Sequence, residues 1–141
     1  MNDQNKGNCL HCHTSDGNAL GTTGQIVNNG LQWYELNEGM DVGLAAVTGN
    51  QEDLGKFKIP SLRNLLFTAP YMHDGRFATL EEVLDFYSEQ VVDAPETDSR
   101  MAHSNRRGMH LTDEEKKDII NFLKTMSDSS FINDPKFASP F

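Results

Sequence analysis

The chain has 141 residues, with 12 Lys and Arg against 21 Asp and Glu, giving a formal net charge of −9. This is one domain's worth of chain, and its acid excess argues against nucleic-acid binding, because no basic patch exists to neutralise phosphates. No apolar run of about 18 residues occurs, so the sequence contains no membrane-spanning helix. Apolar residues make up 37% of the chain, slightly few for closing a core, and a large apolar cofactor would help. The acidity suits a soluble surface and could also steer a basic partner protein.

Several elements are expected in chain order. Asp3 is placed to cap a short helix ending near the first cysteine. Residues 14 to 55 are rich in Gly, Asn and Thr and read as long loops with one short extended pair. A stretch this long without structure usually covers or wraps a functional group. Pro60 at a first turn, followed by Leu62, Leu65 and Leu66, predicts a short two-turn helix.

Residues 68 to 77 form a turn-rich loop presenting Tyr71, Met72 and His73. Thr79 and Glu82 form a capping box that opens an amphipathic helix, with Leu80, Val83, Leu84, Tyr87 and Val91 on one face, so Tyr87 should point inward. Residues 93 to 110 read as a polar surface connection containing Met101, His103, Met109 and His110.

Thr112 and Glu115 form a second capping box, and Ile119, Ile120, Phe122, Leu123 and Met126 should face the core. The tail after it is apolar without periodicity and should pack along the surface. One core is expected, with no internal repeat and no second domain.

The chemistry concentrates at Cys9-Leu10-His11-Cys12-His13. Two thiols at C-x-x-C spacing can form thioethers to the two vinyl groups of one porphyrin, and the next histidine can reach the iron. A thioredoxin-type pair would need a βαβ setting and has no place for the histidine. A structural zinc site would need a second compact ligand pair, whereas His73, His103 and His110 are isolated. His11 occupies a variable position of the motif. The reading is one covalent haem c on Cys9 and Cys12 with His13 as axial ligand. The first residues, MNDQNKGN, lack the basic and apolar regions of a signal peptide, yet a haem c protein is exported before attachment, which implies a periplasmic or otherwise exported location.

From Gly55 the run GKFKIPSLRNLLFTAPYMHDGRFATLEEVLDFYS, continued by LTDEEKKDIINFLKTMSD and INDPKFASPF, resembles the C-terminal haem domain of bacterial di-haem cytochrome c peroxidases and their MauG-type relatives. With NCLHCH the resemblance spans nearly the whole chain, residues 1–141. It implies an all-α, cytochrome c-like domain with long loops around one haem. It also implies an electron-transfer role, with electrons passing toward a peroxidatic haem on a second haem domain or a redox partner protein. The family's N-terminal haem motif and its bridging tryptophan are not matched, since Trp33 lies in a different segment. A complete peroxidase would therefore need further residues.

By family spacing the distal ligand falls on Tyr87, where MauG-type members use a tyrosine. Met72 is the alternative, at the spacing of small single-haem cytochromes, with Met101, Met109 or an open site behind it. The choice matters because a thioether favours ferrous iron and raises the potential, whereas a phenolate lowers it. Arg63 and Arg76 lie in the family segments that line the haem and suit its propionates. His73 resembles a loop histidine that hydrogen-bonds near the haem edge. Backbone carbonyls matching Thr68 and Pro70 contribute to a calcium site in the family. The competing reading is a stand-alone cytochrome that shuttles electrons and catalyses nothing.

Overall fold

The structure is a computed structural model that describes residues 2–3, 7–14, 21–35, 39–101 and 108–139. It is helical, with two small two-stranded sheets. Strands β1 (Asn2–Asp3) and β2 (Gly7–Asn8) pair antiparallel. The helix expected from Asp3 is therefore replaced at both described ends by extended chain, as the poor helix formers Gly7 and Asn8 favour. Strand β3 (Ile26–Asn28) pairs antiparallel with β4 (Lys56–Lys58), Val27 opposite Phe57. This is the extended pair anticipated in the loop region, with its second strand just beyond it.

Between these strands the expectation of loop alone gives way to α1 (Ala45–Thr48) and a 3-10 turn over Gln51–Asp53. Four residues carry no readable helical period. Gly43 N donates no further than Asp41, at 3.0 Å from its side chain, while Ala45 and Leu54 join Tyr34 and Val42 in a buried cluster.

The helix expected at Pro60 does not form; only Leu65–Phe67 makes a 3-10 turn. In a helix the Pro60 carbonyl would accept from Asn64 N–H. Instead Pro60 O accepts from His13, and Asn64 N–H goes to Met126 O at 3.1 Å. Asn64 itself sits in the left-handed region, φ 59°, while its side-chain oxygen accepts from Asp128 N at 2.6 Å. Long-range partners outbid the local pattern here.

Helix α2 (Leu80–Asp85) starts on the expected capping box. It then widens into a π-helical turn over Phe86–Gln90, so the straight helix expected through Val91 is not what forms. The widening buries Phe86 and Ser88 and leaves Tyr87 half-buried between two apolar clusters. Segment 108–111 closes against this turn. Met109 N donates to Tyr87 O at 2.9 Å, His110 N to Ser88 O at 3.0 Å, and Leu111 N to Ser88 Oγ at 2.8 Å.

Helix α3 (Asp113–Thr125) also carries its capping box. Ile120 and Leu123 are buried and Ile119 and Met126 pack against them, but Phe122 is 42% exposed. It lies about 100° around the helix from Leu123, off the buried stripe. The tail is more regular than its sequence suggests. Asp128 caps α4 (Ser129–Asn133), and Asp134 caps a 3-10 turn over Pro135–Phe137.

In place of the single core expected, the described residues form three buried clusters. The first is built on Leu80, Leu84, Met109, Leu111, Ile120 and Leu123. The second surrounds Tyr34, and the third comprises Leu31, Phe86 and Val91. Tyr87 packs against both the first and the third.

Candidate functional site

Cys9, Leu10 and His11 form one 3-10 turn. Cys9 O accepts from Cys12 N at 3.2 Å and from His13 N at 2.8 Å. Those two bonds bring both half-buried thiols and the imidazole onto a single bend. Thr23 N donates to Cys12 O at 3.1 Å, and the buried Thr22 hydroxyl donates to Ile59 O at 2.8 Å. The loop after the motif thus ties the cysteine turn to the chain leading into Pro60.

His13 Nδ1 lies 2.9 Å from Pro60 O. A carbonyl only accepts, so Nδ1 carries the proton and Nε2 keeps its lone pair. Burial pushes the His13 pKa down, which favours the neutral imidazole a metal requires. From sequence Pro60 is only the expected start of a helix, not a partner of His13. The motif alone gives no sign of which carbonyl will orient its histidine.

Burial raises the pKa of both thiols, only partly countered at Cys12 by Arg100. Reactive disulfide-exchange cysteines need the opposite shift. Among the described residues no group of three His, Cys, Asp or Glu side chains is placed to hold a metal ion, as a zinc site would require. Beside His13, the Thr14 hydroxyl is buried with no hydrogen-bond partner among the described residues, at a cost of about 1–3 kcal/mol unless something else satisfies it. Two thiols on one turn and a neutral histidine with a bare Nε2 together suit a covalent porphyrin.

The two candidate distal ligands are brought together. Asn29 Nδ2 donates to Tyr87 OH at 3.2 Å and lies 3.8 Å from Met72 Sδ. Both side chains pack against the Leu31, Phe86 and Val91 cluster. Burial raises the Tyr87 pKa, and the Asn29 bond lowers it in part. Met101 packs against the same cluster, whereas Met109 is buried among aliphatic side chains of the first. His103 lies outside the described residues.

The other sequence candidates divide. Arg76 binds Asp74, with Nε 2.7 Å from Oδ2, and also reaches Gln32 and, at 3.5 Å, Leu31 O. It therefore buttresses the loop that carries Asn29. Arg63 is exposed, and its Nε lies 3.5 Å from where a Cβ on Gly21 would stand, beside the loop that closes on Cys12. His73 is stacked on Phe57 at 3.8 Å between centroids and sits near Tyr34, so its ring joins the second cluster. Thr68 and Pro70 are exposed after the Leu65–Phe67 turn.

Arg100 was missed from sequence. It forms a two-pronged ion pair with Asp98, at 2.8 and 2.7 Å, reaches Gln25 at 2.8 Å, and acts on the Cys12 thiol. Its signal was only a D-x-R spacing inside a polar connection. Arg100 holds the Asp98 carboxyl below its ordinary range. With the folded pKa depressed, the stabilisation is fully present above the unfolded value of about 3.9 and is lost as pH falls through the folded one. The stability gap between wild type and Asp98→Asn should therefore be widest near neutral pH and shrink below about pH 4. Urea denaturation across pH measures it; a gap independent of pH would remove the ion pair as its cause.

No protein-family model matches the chain. A cytochrome-c peroxidase, IdrP2, of Pseudomonas sp. (strain SCT) is 33% identical over 92% of this chain and 39% of its own length. The methylamine utilization protein MauG of Methylophilus methylotrophus is 32% identical over 89% of this chain and 34% of its own. A crystal structure of a MauG-like protein associated with microbial copper homeostasis superposes with a TM-score of 0.73 at 37% identity, covering 98% of this chain and 44% of that one. The chain thus spans less than half the length of the proteins it matches.

Proposed function

Because the chain belongs to the cytochrome-c peroxidase and MauG family, we propose that it is a c-type haem domain that relays single electrons toward a peroxidatic haem on a second domain or redox partner. In this reading it corresponds to the C-terminal haem domain of that family. The observation that carries the reading is the His13 Nδ1 contact to Pro60 O, which leaves Nε2 bare beside two thiols on one turn.

The haem supplies one-electron redox chemistry when bound. Cys9 and Cys12 would anchor it, and His13 Nε2 would ligate its iron. Tyr87 is the favoured residue for the far side, with Met72 as the alternative, and Arg63 and Arg76 are suited to the propionates. His73, stacked on Phe57, is the candidate for a hydrogen bond near the haem edge. Calcium would belong near the Thr68 and Pro70 carbonyls, with a further ligand from another part of a longer protein. Attachment of haem c would require export, to the periplasm or another exported compartment; no helix among the described residues is long and apolar enough to cross a membrane.

The test is to express the chain in the periplasm with haem-attachment machinery and record pyridine haemochrome and oxidised and reduced spectra. One covalent haem per chain is expected, with little hydrogen peroxide turnover by the isolated, loaded protein. Failure to take up haem would refute the haem reading. Rapid peroxide turnover would refute the relay role and leave the haem standing.

A further inference from the structure

We propose that Asn29 is a positioning residue that decides which of Tyr87 and Met72 closes the far side of the iron. This rests on the haem reading above, and it follows from the single amide on which the polar atoms of both candidates converge.

The orientation of that amide is fixed by its other end. Asn29 Oδ1 accepts from Leu31 N at 3.2 Å, so the carbonyl oxygen must face the backbone and the NH2 must face the candidates. An amide NH2 carries two protons. One is donated to Tyr87 OH at 3.2 Å, and the other is available to Met72 Sδ at 3.8 Å.

The segment carrying Asn29 is held on both sides. The buried Asn28 accepts from Gly30 N at 2.8 Å and donates to Leu54 O at 3.0 Å. Gly30, at φ 72°, accepts from Val92 N at 2.8 Å, and a Cβ there would stand 2.7 Å from Val91 and Val92 atoms. Arg76 reaches Leu31 O from the other side. Asn29 therefore presents its donors from a rigid platform.

The two candidates are not held equally. Tyr87 sits on the π-helical turn, and its own carbonyl is tied to Met109 N. Its hydroxyl also receives the shorter of the two Asn29 contacts. Met72 occupies a left-handed backbone conformation, φ 71°, an unfavourable one for a side-chain-bearing residue. It reaches Asn29 only through a flexible thioether, which is a weak acceptor. Asn29 thus holds the phenol oxygen in place and keeps the sulfur beside it as a second choice. Removing the donor would free the phenol and let the thioether compete.

The test compares the haem-loaded wild type with Asn29→Leu, Tyr87→Phe and the double variant Asn29→Leu/Met72→Leu, by ferric absorption, resonance Raman spectroscopy and reduction potential. Asn29→Leu should lose phenolate features, gain a methionine-type low-spin spectrum and shift its potential upward, because a thioether favours ferrous iron. The double variant should lose the methionine-type features. Asn29→Asp keeps the acceptor for Leu31 N and removes the donor, so it should also lose the phenolate features, and its spectra serve if the leucine variant does not fold. Unchanged spectra and potential in the Asn29 variants, with Tyr87→Phe altered, would overturn the role of Asn29 and leave Tyr87 as ligand. An unaltered Tyr87→Phe would overturn both, while a normal pyridine haemochrome would keep the haem reading intact.

Discussion

Alanine at both Cys9 and Cys12 is expected to abolish haem that survives denaturation, while either single replacement should leave a chain attached through one thioether. In the haem reading each thiol would account for one vinyl group, and both sit on the same turn through the Cys9 carbonyl. His13 lies on that bend as well, but coordination by an imidazole does not outlast unfolding. A haem stain on a denaturing gel reads covalent attachment alone, and the absorption spectrum of the native double variant reads what His13 retains. Retained stain in the double variant would show attachment elsewhere and dismiss the motif.

A larger effect on folding is expected from Gly108→Ala. Gly108 has φ 130°, and a Cβ there would stand 2.1 Å from Ser88 O and 2.5 Å from Ser88 C. Both are backbone atoms of the π-helical turn, so no side chain can swing aside. Relief requires segment 108–111 to move away, weakening three hydrogen bonds to Tyr87 and Ser88, each with a net value of about 1 kcal/mol. Strain and lost packing of Met109 and Leu111 add to this. The loss should reach about 4 kcal/mol or more, among the largest single-residue effects, and lower the melting temperature by about 10 °C or more.

Gly24→Ala provides the comparison. Gly24 has a positive φ of 70° but nothing within 4 Å of its would-be Cβ, so the backbone penalty should act alone, at about 1 kcal/mol. Equal melting temperatures for the two variants would show that segment 108–111 yields freely. The same comparison reads the site, because moving Met109 away from Tyr87 O should also disturb the phenol.

Features held within a few residues could be read from the sequence. The capping boxes Thr79–Glu82 and Thr112–Glu115 formed as their spacing dictated, because a cap needs only its own first turn. The inward bias of Tyr87 followed from helical periodicity for the same reason, although the π-helical turn altered its neighbours. Pro60 shows why such reading fails elsewhere. Its local pattern favoured a helix, but its carbonyl has a partner 47 residues away, and Asn64 finds its own at Met126 and Asp128. Asn29 was invisible for the same reason, since the Tyr87 contact spans 58 residues. The ion pair of Arg76 with Asp74, two residues away, is likewise not announced by the sequence, and the propionate role of Arg76 would be shared with it.

The separation between His13 and Pro60 also orders events in time. The bonds that close the cysteine turn join residues at most four apart, so they can form in a nascent chain before the rest of it folds. The partner that fixes the imidazole arrives 47 residues later, and closing that loop is both slower and entropically dearer. If haem is attached here, thioether formation could therefore precede folding, whereas the orientation of the imidazole must wait for it. A chain interrupted before Pro60 would keep its cysteine turn but have no fixed direction for His13.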